Sequence, residues 1–301
     1  MRKGLIGLIV LGFAVLVIGG VVAAQETYVV ASDIPWAPFE MVTANGQFFG
    51  FDLDVMRCIA IVEGFDIDIK NIAFDSIIPT VESGKADIGA SGFTITAERA
   101  KSIDFSQPYY LSNQAVVIRK GSGLNIVSAL AGKGPTQSVG AQNGTTGFGW
   151  AEENAIGVTV KGYEFYPTAI LDLVNGRIDA VIQDEPASQS SLAAYPDKLE
   201  IAGIINTNEY FGFLVAKGDP NGLLPKINDG LAKLGLSVID PAGGMKELVV
   251  TPGSVWDNLL KAYFGPTNDE IEAAWLASKD LLLVDKDVEG FAAKLAQEVS
   301  K

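Results

Sequence analysis

The sequence predicts an α/β protein of two similar lobes, each a mainly parallel sheet flanked by helices, with a cleft between them. Three observations carry that prediction. Short apolar strands alternate with stretches of helical periodicity from residue 27 onward, the order that builds parallel sheets. One pattern then occurs twice, as "IIPTVESGKADIGASG" over 77–92 and "AILDLVNGRIDAVIQD" over 169–184. Each copy reads apolar helix, Gly84 or Gly176, a basic residue, Asp87 or Asp179, and a short apolar strand. Glycine there suits the left-handed position that ends a helix. Finally, the copies end on Ser91–Gly92 and on Gln183–Asp184. Ligands of open α/β sheets bind at the carboxyl ends of strands, so two such ends facing each other would make a binding cleft.

The elements follow in order. Residues 27–33 read as a strand running into a loop rich in proline and aromatics, "SDIPWAPFEM" over 32–41. Residues 52–63 read as an amphipathic helix, 66–72 as a strand, and 76–84 as a helix ended by Gly84. "ADIGAS" is the next strand, and "TAER" (96–99) reads as a helix start capped by Thr96. Residues 113–120 read as a strand before a Gly-rich loop, and "QNGTTGFG" (142–149) is a Gly/Thr loop before a helix. Asp184 precedes a helix opened by Pro186. Two amphipathic stretches, "NDEIEAAWLASKDLLL" and "DVEGFAAKLAQEVS", close the chain as a helical extension over 267–301.

Composition narrows the chemistry. Lys plus Arg is 22 against 36 for Asp plus Glu, a net charge of −14, which argues against nucleic acid as a partner. The absence of histidine excludes Ser–His–Asp and Cys–His catalysis and His-liganded metal sites. Cys58 is the lone cysteine, in a helix where a buried inert thiol is expected, so neither disulfide nor thiolate cluster is available. No metal, cofactor or catalytic residue is expected. Arg2 and Lys3 precede Leu5–Ala24, a stretch without charge that ends in small residues. Residues 1–24 thus read as a signal peptide or an N-terminal membrane anchor, with the rest of the chain extracytoplasmic and tethered if 5–24 is retained.

Several residues gather where the strands end. Arg99 follows a strand and a Gly/Thr loop, where a guanidinium could clamp a carboxylate with two parallel hydrogen bonds, supported by Thr94 and the dipole of the helix expected at Thr96. The alternative for Arg99 is a solvated surface charge. Asp184 suits a cation, or caps the helix that follows it, or both. The loop at Gln142–Thr146 could cradle a carboxylate on its backbone, though it lacks the Lys–Ser/Thr ending of a phosphate loop. Trp36 and Phe74 could wall an aromatic clamp, while Phe39 reads as core.

Together these segments resemble the extracytoplasmic polar amino acid-binding proteins of ABC transporters, solute-binding protein family 3. The resemblance rests on "SDIPWAPFEM", "GFDLDVMRCIA", the block "AFDSIIPTVESGKADIGASGFTITAERAKSIDFSQPYY", "VGAQNGTTG", "NGRIDAVIQDEPAS" and "EYFGFLVAKGD". It covers roughly 26–235 and the helix at 254–265. It implies the two-lobed periplasmic-binding-protein fold, with lobe 1 at 25–112 and 206–266, lobe 2 at 113–205, and hinges near 112–116 and 205–212. Residues 236–252 read as an insertion relative to the family.

The resemblance also implies roles. Arg99 would bind a ligand α-carboxylate with Thr94 and the backbone near Thr146, and Asp184 the α-ammonium with the backbone of Ser91–Gly92. Trp36 and Phe74 would sandwich the ligand side chain, Asp33 would meet its far end, and Gln142 and Gln183 would tune specificity. A carboxylate at Asp33 favours arginine, lysine, ornithine or histidine by charge pairing. Glutamine is the alternative ligand, and a prephenate- or arogenate-type dehydratase is the alternative class, since carboxylates alone can move protons. The expected partners are a small amino acid and ABC permease subunits, with the chain itself a monomer.

Overall fold

The structure is a computed structural model that describes residues 25–132, 137–241 and 244–301. The leader read at 1–24 lies outside the described residues. Among the described residues no helix is long and apolar enough to cross a membrane.

Strand β1 (Thr27–Ser32) leads into the aromatic loop and a small hairpin, β2 (Met41–Val42) with β3 (Phe48–Phe49). Helix α1 (Phe51–Glu63) follows, bounded by Gly50 and Gly64 and carrying Asp52 and Asp54 in its first turn. Next come β4 (Asp66–Asn71), α2 (Phe74–Glu82), β5 (Ile88–Gly89) and β6 (Ile103–Phe105). The long strand β7 (Tyr110–Arg119) crosses to α3 (Ile126–Leu130), β8 (Ser138–Gln142), α4 (Thr146–Asn154), β9 (Thr159–Tyr163), α5 (Tyr166–Val174), β10 (Ala180–Asp184) and α6 (Glu185–Ala194). Strand β11 (Leu199–Phe211) returns, and β12 (Leu214–Ala216) and α7 (Leu223–Lys233) follow it.

Two five-stranded sheets result, ordered β4-β1-β5-β12-β6 and β11-β7-β10-β8-β9. Each is parallel over three strands (β4, β1, β5 and β10, β8, β9) and antiparallel where the returning strands join. The crossing strands β7 and β11 pair antiparallel with each other, because the chain enters and leaves the second sheet side by side.

The repeated pattern folds the same way twice. Gly84 and Gly176 take φ of +69° and +73° after α2 and α5, a region that glycine enters without steric cost. Asp87 accepts the backbone N–H of Val29 at 2.8 Å, and Asp179 that of Ser138 at 2.9 Å. Each aspartate therefore ties the start of its strand to the parallel neighbour.

Some boundaries differ from expectation. Helix α2 starts two residues early, at Phe74, and β5 keeps only two residues of "ADIGAS". "TAER" is corrected more sharply. Thr96 Oγ1 does accept the Arg99 N–H at 3.1 Å, but only a three-residue 3-10 turn, Arg99–Lys101, forms. The chain must re-enter the sheet at Ile103, so no helix and no helix dipole develop there.

The C-terminal segments are well integrated. Within 236–252, β13 (Leu236–Ile239) pairs antiparallel with β14 (Glu247–Val250). Helix α8 (Val255–Tyr263) is capped by Ser254, and α9 (Asn268–Leu283) by a Thr267–Glu270 capping box. Helix α10 (Val288–Glu298) packs against α8, α9 and α1. Trp275 stacks on Phe49 with ring centroids 4.9 Å apart, while Phe291 and Leu295 are fully buried. Buried Asp54 of α1 holds Arg57 at 2.5 Å and receives the Tyr263 hydroxyl. Cys58 is buried, and burial pushes its thiol well above the ordinary range.

Candidate functional site

Between the two sheets lies a small, nearly closed cavity. Asp33, Trp36, Phe74, Ser91, Gly92, Thr94, Arg99, Gln142, Thr146 and Asp184 all line it, joined by Thr145 and Tyr166. Thus ten of the eleven site residues chosen from the sequence come to one place. Gln183 does not. Successive strand residues face opposite ways, so Gln183 turns from the cavity and donates to Ser191 Oγ at 3.0 Å. A larger open groove lies beside β7 and α6. Its charged side chains, Lys120, Glu185 and Glu200, all reach solvent, so it offers no buried charge to a ligand.

The loop after β1 supplies the first wall. Asp33 is 4 % exposed, with its N–H on Ser91 Oγ at 3.1 Å. Its Oδ2 accepts from Gln142 Nε2 of the other lobe at 2.5 Å, while Oδ1 is buried with no hydrogen-bond partner among the described residues. Burial pushes the Asp33 carboxyl up to about 6; the Gln142 bond opposes this, and the charges of Asp75 and Glu164 add to it. Trp36 stacks on Phe39 at 4.9 Å and lies near-parallel to Tyr166 at 6.3 Å. Phe39 is core, as expected, with no exposed surface.

Gly92 has a reason beyond backbone access. Its φ is +55°, and an added Cβ would lie 2.4 Å from the Trp36 ring. Its N–H donates to Asp52 Oδ2 at 2.8 Å, which also accepts from Tyr109. Beneath that floor, Glu40 faces Asp52 with no solvent exposure. Burial first, then the charges of Asp52 and Asp33, push the Glu40 carboxyl well above its usual range.

The anion corner is built around Arg99. Its guanidinium lies 5.4 Å from the centroids of both Phe74 and Phe93, which stack on each other at 4.5 Å. It donates to Thr94 O and across the lobes to Gly144 O, both at 2.9 Å. Two of five donors are thereby used, leaving the rest for a ligand. Burial lowers its pKa to about 10, so it stays charged at neutral pH. The dipole expected at Thr96 comes instead from α4. That helix begins at the cavity, with Thr145 as N-cap accepting the Phe148 N–H at 3.1 Å.

Asp184 is 6 % exposed and Oδ1 is buried without a partner among the described residues. It stands at the N-cap of α6, yet its side chain makes no capping hydrogen bond among the described residues. Burial, then the neighbouring charge of Glu209, push its carboxyl up to about 7. Ser112 and Gln114 of β7 donate toward it and oppose the shift. Among the described residues no group of three or more Asp, Glu, Cys or His is arranged to hold a metal ion.

Residues 28–237 match the profile of bacterial extracellular solute-binding proteins, family 3. The chain belongs to that family. Membership places it outside the cytoplasmic membrane, among proteins that bind solutes for ABC transporters. Among relatives of this family 3 protein is the ABC transporter arginine-binding protein 1 of Escherichia coli (strain K12). It is 33 % identical over 219 residues, 72 % of this chain and 87 % of the relative. A probable histidine-binding protein of Neisseria gonorrhoeae is 33 % identical over 69 % of this chain and 78 % of its own length. The arginine-bound form of truncated ArgBP from T. maritima superposes with a TM-score of 0.64 at 34 % identity, covering 69 % of this chain and 96 % of that one.

Residues outside the sequence reading also build this family 3 site. Tyr166 borders the cavity from the start of α5, and Gln114 of β7 donates to Glu209 Oε1 at 3.2 Å behind it. Glu209 sits within "EYFGFLVAKGD", a segment useful for recognition but assigned no role from sequence. Its cleft position depends on an irregular pairing of β11 that periodicity does not reveal.

Proposed function

We propose that this family 3 protein captures a cationic L-amino acid between its lobes, arginine foremost, then lysine, ornithine or histidine, and delivers it to an ABC permease without chemical turnover. One observation carries the reading: a single small cavity holds two buried carboxylates, Asp33 and Asp184, each with an oxygen that has no partner among the described residues. They lie in different electrostatic corners, Asp33 beside Asp75 and Glu164, and Asp184 beside Glu209. Buried ionised carboxylates are costly unless paired, so two such groups suit a ligand with two cations. Arg99 and the start of α4 supply the counterpart for one carboxylate. In this reading Asp184 takes the α-ammonium, Asp33 the side-chain cation, and Trp36 and Phe74 the aliphatic stem.

Ser91, Gly92, Thr94, Gln142 and Thr146 hold these groups in place, and closure of the two lobes (25–112 with 206–266, and 113–205) encloses the ligand. The names of the relatives, which include arginine- and histidine-binding proteins, favour the same class. The test is thermal unfolding of the purified full chain against the twenty amino acids and ornithine, since a ligand of the folded state raises the midpoint. A rise confined to cationic amino acids, and lost in Arg99→Ala and Asp184→Ala, supports the reading. A selective rise with glutamine or glutamate refutes the role given to Asp33. A rise with prephenate, followed by its turnover, would replace binding with dehydration.

A further inference from the structure

Glu209 lies where the two lobes and the crossing strands meet. It is 9 % exposed, and its carboxylate is fully engaged. Oε2 accepts the hydroxyl of Thr94 from the first lobe at 2.7 Å and that of Thr146, at the start of α4 in the second lobe, at 2.5 Å. Oε1 accepts from Gln114 Nε2 on β7 at 3.2 Å. Three separate segments therefore converge on one side chain.

The backbone is shaped to put it there. Strands β11 and β7 pair antiparallel, with a one-residue bulge between Ile201 and Gly203, as far as Ile205 opposite Gln114, then resume at Glu209 opposite Ser112. Four steps along β11 thus match two along β7. Asn208 takes up the slack at φ +51°, a conformation asparagine tolerates better than most residues. Irregularities of this kind re-aim side chains, and here the side chain re-aimed is the one that bridges the lobes.

A hydroxyl has a single proton to donate. Both threonine hydroxyls are given to Glu209 in this arrangement. The Thr94 hydroxyl there serves contact between the lobes, and its carbonyl anchors Arg99.

We propose that Glu209 is a positioning residue, a clasp that draws Thr94 and Thr146 together across the cleft, favours the closed arrangement and slows release of the bound solute. The inference rests on the reading of the cavity as a solute site but does not depend on which solute it takes. Hydrogen bonds to an ionised acceptor are stronger than neutral ones, so loss of this pair should matter more to release than to encounter.

The experiment uses the full chain with fluorophores on Glu82→Cys and Glu153→Cys, exposed positions on α2 and α4, since Cys58 is buried. Energy transfer reads closure with and without arginine, and stopped flow reads release. Glu209→Gln is expected to lower the closed fraction and to speed release by about tenfold while association changes less than about threefold. Thr146→Val, which leaves Glu209 in place, should speed release by a smaller factor and add little on top of Glu209→Gln. That non-additivity across the lobes is what general destabilisation would not produce.

An unchanged closed fraction and release within twofold in Glu209→Gln, or full additivity of the two variants, overturns the clasp. Should the wild-type chain ignore arginine while Glu209→Gln still opens it, the clasp stands and the cationic-ligand reading fails. If Glu209→Gln does not fold, Thr94→Val and Thr146→Val form the cycle instead, with the same criterion.

Discussion

Replacing Asp33 by asparagine removes one charge from the cavity while keeping the size of the side chain. Burial holds the Asp33 carboxyl at about 6 instead of 3.8. The enclosed site therefore disfavours the ionised form by about 3 kcal/mol. At neutral pH the group is nonetheless ionised, so the free protein carries that cost. A guanidinium reaching the unpartnered Oδ1 relieves it, whereas a neutral ligand side chain relieves little. Asp33→Asn has no such cost to relieve. Arginine should then bind more weakly by about 3 kcal/mol, roughly a hundredfold in Kd, while glutamine changes by less than about threefold. Calorimetric titration of both ligands into wild type and variant reads the two changes directly. A loss for arginine below about fivefold, or an equal loss for both ligands, would refute the assignment of Asp33 to the side-chain cation.

Two further outcomes depend on pH. Asp184 at about 7 and Asp33 at about 6 are both raised in the free protein, so a bound cation must expel protons they hold under mildly acidic conditions. Arginine affinity should fall by about thirtyfold between about pH 8 and about pH 5.5 from Asp184 alone, with proton release seen by titration in buffers of different ionisation heat; a flat Kd contradicts this. Glu40 has a raised folded pKa, so its contribution to stability is full below its unfolded pKa and is lost as pH rises toward the folded one. Glu40→Gln does not titrate, so its melting midpoint should gain on the wild type between about pH 5 and about pH 8, and an equal difference at both values would sink the idea.

Much of the site was legible because it is built from repeated local grammar. The pattern helix, glycine, basic residue, aspartate, strand signals a helix end followed by a parallel strand, and it does so at both Asp87 and Asp179. The ends of those strands, together with Arg99 and the Asp33–Trp36 loop, were therefore placed correctly in one cavity. Gln183 escaped for a simpler reason. Identity of residue type beside Asp184 says nothing about which face of the strand it occupies until the sheet is assembled.

By itself the sequence determined the alternation of strands and helices, the leader reading, the family, and the residue types that could meet an amino acid. Those are local or compositional properties, carried by periodicity, capping and motif spacing. Tertiary structure alone decided which helix lends its dipole to the anion corner, because "TAER" had too little chain before β6 to wind more than one turn, whereas Thr145 had room to start α4. It also decided that the last helices close over α1 around Asp54 and Phe49, since amphipathic faces do not name their partners. Above all it placed Glu209. A shift of pairing between two strands far apart in the chain aims that carboxylate at Thr94 and Thr146, and long-range register is a property that no short stretch of sequence contains.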